Sequence, residues 1–236
     1  MYSDITVAMV LWNEGHRIRR LMDQITPYFE HIAVGVQEST DNTLPAVYDY
    51  TRDVVVDSHR GFGDATFGPK VLPLVKTTWT LKLDGDEYPT TELLESLDRC
   101  LVEIGPDDGA WLKFRSWIEG IEWESFHSHL RLFRTALGWP AKLHSRPMTN
   151  QTIAWNEGWI EHRRTLDEMV RDYLGYLAKS EENKAWITHN TEMIWHACAG
   201  TARVKGWEFI QAHSWWPEVQ AKVFQDGLPE PAVPEL

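Results

Sequence analysis

The feature that most constrains this chain is a repeated order: apolar strand, polar turn, amphipathic helix. "ITVAMVLW" (5–12) is almost unbroken in apolar residues, as a strand must be when both of its faces are covered. In "EGHRIRRLMDQI", which follows, Ile18, Leu21, Met22 and Ile25 recur at helical spacing. "HIAVGV" (31–36) reads as a second strand, and "ESTDNT" supplies helix-capping residues before a second helix near 43–51. "DVVVD" (53–57) is a third strand. The glycine-rich loop "HRGFGDATFGP" then leads into a helix near 69–77 and a fourth strand, "WTLKLD" (79–84). Pro89, Thr90 and Thr91 open another helix, with Leu93, Leu94, Leu97 and Leu101 on one face. Strands alternating with helices predict an α/β protein with a mostly parallel sheet and right-handed crossovers.

After residue 105 the pattern changes. "GAWLKFRSWIEGIEWESF" and "SHLRLFRTALGWPAKLHS" read as β-hairpin material, and "TLDEMVRDYLGYLAK" as an amphipathic helix. The tail "DGLPEPAVPEL" is proline-rich and expected to be loose. Neither an internal repeat nor a flexible linker separates the halves. The expectation is one domain of two packed halves, 1–104 and 105–236.

In parallel α/β sheets ligands bind at the carboxyl ends of the strands. Three polar clusters fall at such ends: Asn13-Glu14, "ESTD" (38–41) and "DGDE" (84–87). The last crowds Asp84, Asp86 and Glu87 where like charges repel. Either that turn is fully solvated, or something cationic sits among the carboxylates. The convergence of the three clusters favours the second. Two carboxylates of an Asp-x-Asp turn suit a hard cation, Mn²⁺ or Mg²⁺, which takes oxygen ligands and shares them with substrate phosphates.

Composition narrows the partners. The net charge of −12 disfavours non-specific attraction to nucleic acid or anionic lipid. Cys100 and Cys198 form no disulfide framework, which points to a reduced, cytoplasmic protein. No apolar run approaches the ~20 residues that span a bilayer, and the start "MYSDITVAMV" lacks the basic opening of a signal peptide. The 13 tryptophans, mostly from Trp111 onward, serve either as core or as flat apolar platforms for a sugar or base.

The run "VLWNEGHRIRRLMDQI", then "ESTDNT", then the glycine-rich loop, then "WTLKLDGDE" resembles the GT-A fold of family 2 glycosyltransferases. Members carry an Asn-Glu after the first strand, a Ser-Thr-Asp-x-Thr turn after the second and an Asp-x-Asp after the fourth. "HLRLFRTALGWPAKLHSRP" and "GWIEHRRTLDEMVRDYLGYLAK" are similar to segments of a bacterial branch that glycosylates lipopolysaccharide cores, peptides and related acceptors. The likeness spans roughly residues 4–180.

The resemblance implies a Rossmann-like donor half and a hairpin-and-helix acceptor half. Asn13 and Glu14 would lie against the nucleobase and ribose, with Leu11 and Trp12 forming the strand edge beside it. Asp41 and Thr43 would shape the base pocket. Asp84 would contact the ribose or the metal, and Asp86 would be the main metal ligand. His144 or His162 would complete the metal shell or touch the diphosphate, with a structural role equally open for each.

Three departures from the family pattern stand out. The position of a base-contacting Asp is Gln37, where Glu38 would substitute or the base would differ from uracil. The family's His-Glu is His144-Ser145, so a carboxylate is missing. The glycine-rich loop lacks Ala-Arg-Asn, so Arg60 or Lys70 would supply its positive charge.

The function expected is a metal-dependent, inverting glycosyltransferase using a nucleotide-sugar, UDP-sugar foremost. Its acceptor would be a saccharide, lipid-linked sugar, protein or modified nucleobase. A carboxylate must take the acceptor's proton; Glu119, Glu122, Glu124 and Glu157 are candidates, with Glu122 and Glu157 favoured. Nucleotidyl transfer is the competing enzyme class. It calls for a glycine-rich, basic loop after the first strand, where this chain has "LWNEGHR". Transfer to hydroxymethylated bases of phage DNA sits poorly with the negative charge. A non-catalytic sugar- or nucleic-acid-binding module built on tryptophans would bind no nucleotide in a metal-dependent way.

Overall fold

The structure, a computed structural model, describes residues 1–58, 63–141, 146–179 and 184–224. Among the described residues eight strands form one sheet. β1 (Tyr2–Leu11), β2 (Phe29–Gln37), β3 (Val54–Asp57) and β4 (Trp79–Lys82) run parallel, with β1 between β2 and β4. The remaining strands are β5 (Glu87–Pro89), β6 (Gly109–Ile118), β7 (Ile121–Arg134) and β8 (Ile153–Arg164). The order across the sheet is β3-β2-β1-β4-β7-β6-β8-β5. β7 lies antiparallel to β4, pairing Leu81 with Leu132, and β5 pairs antiparallel with β8.

Strand alternation places two cores on the two faces of the parallel strands. Ile5, Val7, Met9 and Leu11 of β1 join Val34 and Val36 of β2 and Leu81 in one cluster. It is closed by Ile18, Leu21, Met22 and Ile25 of α1 (Ile18–Ile25), Ala46 and Val47 of α2 (Thr43–Tyr48), and Leu93, Leu94 and Leu97 of α4 (Thr91–Ile104). The expected periodicities are the ones buried. α4 starts where Thr90 accepts a hydrogen bond from the Leu93 N–H at 3.3 Å, a cap worth about 1 kcal/mol. On the other face Ala8, Ala33, Phe67, Val71 and Phe133 pack together.

The helix expected near 69–77 takes another form. α3 (Asp64–Thr66) passes into a π-helical turn, Phe67–Val71, and a 3₁₀ turn, Leu72–Leu74. Pro69 and Pro73 lack the N–H groups that a continuous α-helix there needs.

β6 and β7 are joined by Glu119 and Gly120 alone, at φ 53° and 76°. Positive φ at both central residues is what a two-residue hairpin of type I′ requires. In β8, Trp155 and Ile160 have opposite parity yet both enter the main core. The change occurs at Gly158, at φ 66°, whose missing Cβ lets β8 approach the backbone of Leu93.

The chain forms two compact units, and their limits differ from a boundary at 104/105. The first is Met1–Arg115 with Phe126–His162, so most of the hairpin strands belong with the parallel sheet. The second is Ser116–Ser125 with the chain from Arg163 onward. Its core is helical: α5 (Leu166–Lys179), α6 (Lys184–Lys205), α7 (Trp207–Gln211) and α8 (Trp216–Val223) bury Met169, Val170, Ile194, Cys198, Trp215 and Trp216. The expected helix after Thr165 begins with a reciprocal cap. Thr165 N–H donates to Glu168 at 2.8 Å, and Glu168 N–H donates to the Thr165 hydroxyl at 3.2 Å. Tryptophans 79, 155, 215 and 216 are core, whereas Trp12 is 50% exposed. The proline-rich tail lies outside the described residues. Among the described residues no helix is long and apolar enough to cross a membrane.

Candidate active site

The chain runs from β1 outward through β2 to β3, then returns to place β4 on β1's other side. That reversal opens a crevice at the carboxyl ends of β1 and β4, where an open α/β sheet binds its ligand. The two turns that meet there are Trp12-Asn13-Glu14 and Asp84-Gly85-Asp86. Gly85 is seated so that a Cβ would lie 2.8 Å from Glu14 Cγ and 3.0 Å from Leu11 Cδ2. Only a residue without a side chain lets the turns close to this degree.

The turn after β1 is tied to the turn after β2 by hydrogen bonds from both sides. Asn13 holds the left-handed conformation, φ 54°, which its short polar side chain tolerates. Its N–H donates to Ser39 Oγ at 3.1 Å, and its Oδ1 accepts from the Thr40 N–H at 2.8 Å. Glu14 N–H donates to Thr43 Oγ1 at 2.7 Å, and Gly15 N–H to Asp41 Oδ2 at 2.8 Å. Asp41 also accepts from the Thr43 N–H and hydroxyl. Burial works against its charge, but these donors hold its carboxyl below the usual range. Trp12 Nε1 donates to the Glu38 carbonyl at 3.1 Å, leaving the exposed indole beside this edge. Leu11, Trp12, Asn13, Glu14, Glu38, Asp41 and Thr43 are therefore gathered at one place.

The acids of "DGDE" have cations among them, and these belong to the protein. Lys82 Nζ donates to Asp84 Oδ1 at 2.9 Å, and Arg131 of β7 donates to Asp84 Oδ2 at 2.9 Å. Arg131 also bonds Glu87, whose other oxygen accepts the Asp84 N–H at 2.9 Å. Partial desolvation opposes the charge on Asp84, yet Lys82 and Arg131 hold its carboxyl far below the carboxylate range. Burial pushes Glu87 up to about 7; Arg131 pulls against this and the charge of Asp84 adds to it. Neither Lys82 nor Arg131 is evident as a site residue from the sequence: Arg131 is 47 and 44 residues from its partners Asp84 and Glu87, and Lys82, though two residues from Asp84, sits in an apolar strand. The one signal is a lysine at a strand position whose neighbours are all apolar.

Asp86 faces His162. Its Oδ2 is 3.0 Å from His162 Nε2, and the β5–β8 pairing sets Glu87 directly across from His162. A carboxylate beside an imidazole offers donors that fit Mn²⁺ or Mg²⁺ in an open site, one completed by water and ligand oxygens. Among the described residues no group of three or more His, Cys, Asp or Glu converges to hold a metal unaided. Asp84, expected as a metal ligand, has each oxygen taken by a cation. His144 and Arg60 lie outside the described residues.

Lys70 serves another network. It pairs with Asp57 at 2.5 Å, and Asp57 accepts from Thr66, which in turn accepts from Gln37 Nε2 at 3.0 Å. Gln37 and Asp57 are both 2% exposed and pair across β2 and β3. Glu157 on β8 is ion-paired with Arg99 of α4 and, among the described residues, shares no partner with the acidic turn. Glu122 is exposed near the start of β7, in the second unit. Glu119 accepts from the Leu166 N–H at 2.9 Å and from Lys205 at 3.0 Å, which is a capping role for α5.

No protein-family model and no curated protein sequence matches the chain. Among solved structures it is similar to S. aureus TarS 1–349, with a TM-score of 0.51 and 15% identity, over 96% of this chain and 81% of that one. TarS 1–349 in complex with UDP aligns with a TM-score of 0.51 at 15% identity, over 91% and 77% of the two chains. Glucosyl-3-phosphoglycerate synthase from Mycobacterium tuberculosis with Mg²⁺ and UDP aligns over 50% of this chain and 44% of that one, at 17% identity and a TM-score of 0.37. The likeness to TarS establishes the GT-A type of α/β fold.

Proposed function

We propose that this protein is a glycosyltransferase that moves a sugar from a UDP-sugar to an acceptor hydroxyl with inversion, assisted by Mn²⁺ or Mg²⁺. The observation that carries the reading is the convergence of three turns on the β1–β4 crevice: Trp12–Glu14, Glu38–Thr43 and Asp84–Asp86. An exposed indole at Trp12 and a carboxylate–imidazole pair at Asp86 and His162, on turns at the carboxyl ends of the strands, suit a nucleoside diphosphate. The whole-chain likeness to a protein seen with UDP supports it.

In this reading Trp12, Asn13 and Glu38 border the base and ribose, and Asp84 accepts hydrogen bonds from donor hydroxyls. Asp86 and His162 would hold the metal, which when bound supplies positive charge to the departing diphosphate. The general base that takes the acceptor's proton is assigned to Glu122 or Glu157. Lys70 supports the β2–β3 edge through Asp57.

The test is a thermal-shift screen of nucleoside diphosphates with and without Mn²⁺, followed by assays of UDP-sugar hydrolysis. At a hundred times Kd, UDP with Mn²⁺ is expected to raise Tm by about 5–10 °C for a chain of this size. If no nucleoside diphosphate shifts the transition, the reading fails.

A further inference from the structure

Beside the acidic turn, at the end of β4, stands a lysine whose placement the fold does not require. Lys82 is a strand residue whose side chain is 8% exposed. Its ammonium lies over two rings, 5.5 Å from the Phe67 centroid and 5.4 Å from that of Trp139. Among the described residues, Asp84 is its hydrogen-bond partner. A methionine would fill the same space between the rings without dehydrating a charge. Losing the lysine would leave no uncompensated buried charge, since Asp84 is 40% exposed and keeps Arg131. Stability alone therefore gives little reason for a lysine here.

The pair is asymmetric. The Asp84 side chain is 40% exposed, whereas the cations that grip it, Lys82 and Arg131, are 8% and 11% exposed. The carboxylate is thus presented to solvent at the crevice with its counter-ions buried behind it. A carboxylate offers about four acceptor positions; the two cations occupy one on each oxygen and leave the others for a ligand. Fixing both oxygens from behind removes the rotational freedom that a surface aspartate would lose on binding.

We propose that Lys82 is a positioning residue for donor binding, acting through Asp84, with Arg131 as the second anchor. The proposal rests on the donor reading above and deepens it. It places the specific requirement on a residue that touches no donor atom. The aromatic cover ties the same lysine to the segments carrying Phe67 and Trp139, so the turn after β4 is registered against both.

The experiment is isothermal titration with UDP, together with thermal melts, on the wild type, Lys82→Met, Asp84→Asn and the double variant. Lys82→Met leaves Asp84 paired with Arg131 and partly solvated, so the fold is expected to persist with a Tm equal to or above wild type. UDP affinity is expected to fall about tenfold or more, the usual worth of a hydrogen bond to a charged group. In the Asp84→Asn background the Lys82→Met change is expected to cause no further loss. Lys82→Arg, which keeps a cation, is expected to recover part of the affinity. Should Lys82→Met not fold, Lys82→Gln reads out the same cycle.

Affinity unchanged in Lys82→Met, or losses that add in the double variant, would overturn the positioning role while leaving the donor site intact. A wild type that binds no nucleoside diphosphate removes the donor reading, and this proposal with it.

Discussion

Asp86 Oδ2 and His162 Nε2 stand 3.0 Å apart, held across the sheet by the antiparallel pairing of β5 with β8. The pair joins residues 76 positions apart in sequence. If they share a divalent cation, Asp86→Ala and His162→Ala each lose Mn²⁺ binding, read by electron paramagnetic resonance, and sugar transfer with it. Both variants should keep the wild-type far-UV circular dichroism. Full turnover in either variant, or full activity in EDTA, refutes the metal assignment.

General-base catalysis typically contributes 10²–10⁴-fold. Replacing the true base by Gln is expected to lower kcat by about that factor, with donor affinity nearly intact. Glu122 is the stronger candidate, because Glu157 is already neutralised by Arg99 at the surface. Glu157→Gln is expected to change kcat little. Normal turnover in both variants would place the base on another residue.

Gly158 marks a backbone constraint distinct from the chemistry. At φ 66° any other residue is strained, and a Cβ there would lie 2.7 Å from Leu93 Cα. Gly158→Ala is expected to cost at least about 2 kcal/mol, lowering Tm by roughly 4–8 °C. A Tm within a degree of wild type would show that β8 can draw back from α4.

Glu119 predicts a pH dependence of stability. Burial raises its pKa, but the Leu166 N–H and the Lys205 ammonium outweigh this and hold the carboxyl below its ordinary value. With the folded pKa depressed, the contribution is complete above the unfolded value and disappears as pH falls through the folded one. Glu119→Gln should therefore melt below wild type at pH 7, and the gap should close in acid. A gap of the same size at pH 3 would mean that the charge contributes nothing.

The strands of the first hundred residues are legible because a strand covered on both faces must be almost wholly apolar, as "ITVAMVLW" and "HIAVGV" are. The polar turns at their ends are legible for the same reason, since they interrupt those runs. Lys82 and Arg131 are a different matter. Arg131 meets Asp84 only once β4 and β7 are neighbours, and no local period encodes a partner 47 residues away; Lys82 lies two residues from Asp84, but its cover by Phe67 and Trp139 is equally non-local. Pairing Glu157 with Arg99 likewise needs the β8–α4 packing made at Gly158. The α6 helix buries Asn190 and Thr201 together with Ile194, Ala197, Cys198 and Ala202, so the polarity of its buried face is too mixed to announce a helix.

The order in which the chain is made gives the Glu87–Arg131 bond a further significance. Arg131 follows Glu87 by 44 residues, an interval of roughly 2–9 s at ordinary rates of synthesis. Through that interval the parallel strands exist without β7, so β4 presents an open edge and Glu87 has no guanidinium to receive its charge. A polypeptide ending at residue 104 would be caught permanently in that state, and is expected to aggregate through the β4 edge rather than bind UDP. A soluble, UDP-binding 1–104 fragment would contradict this. Residues 1–104 are thus a unit of sequence but not of biogenesis: the ribosome must deliver β7 before the edge of β4 is closed.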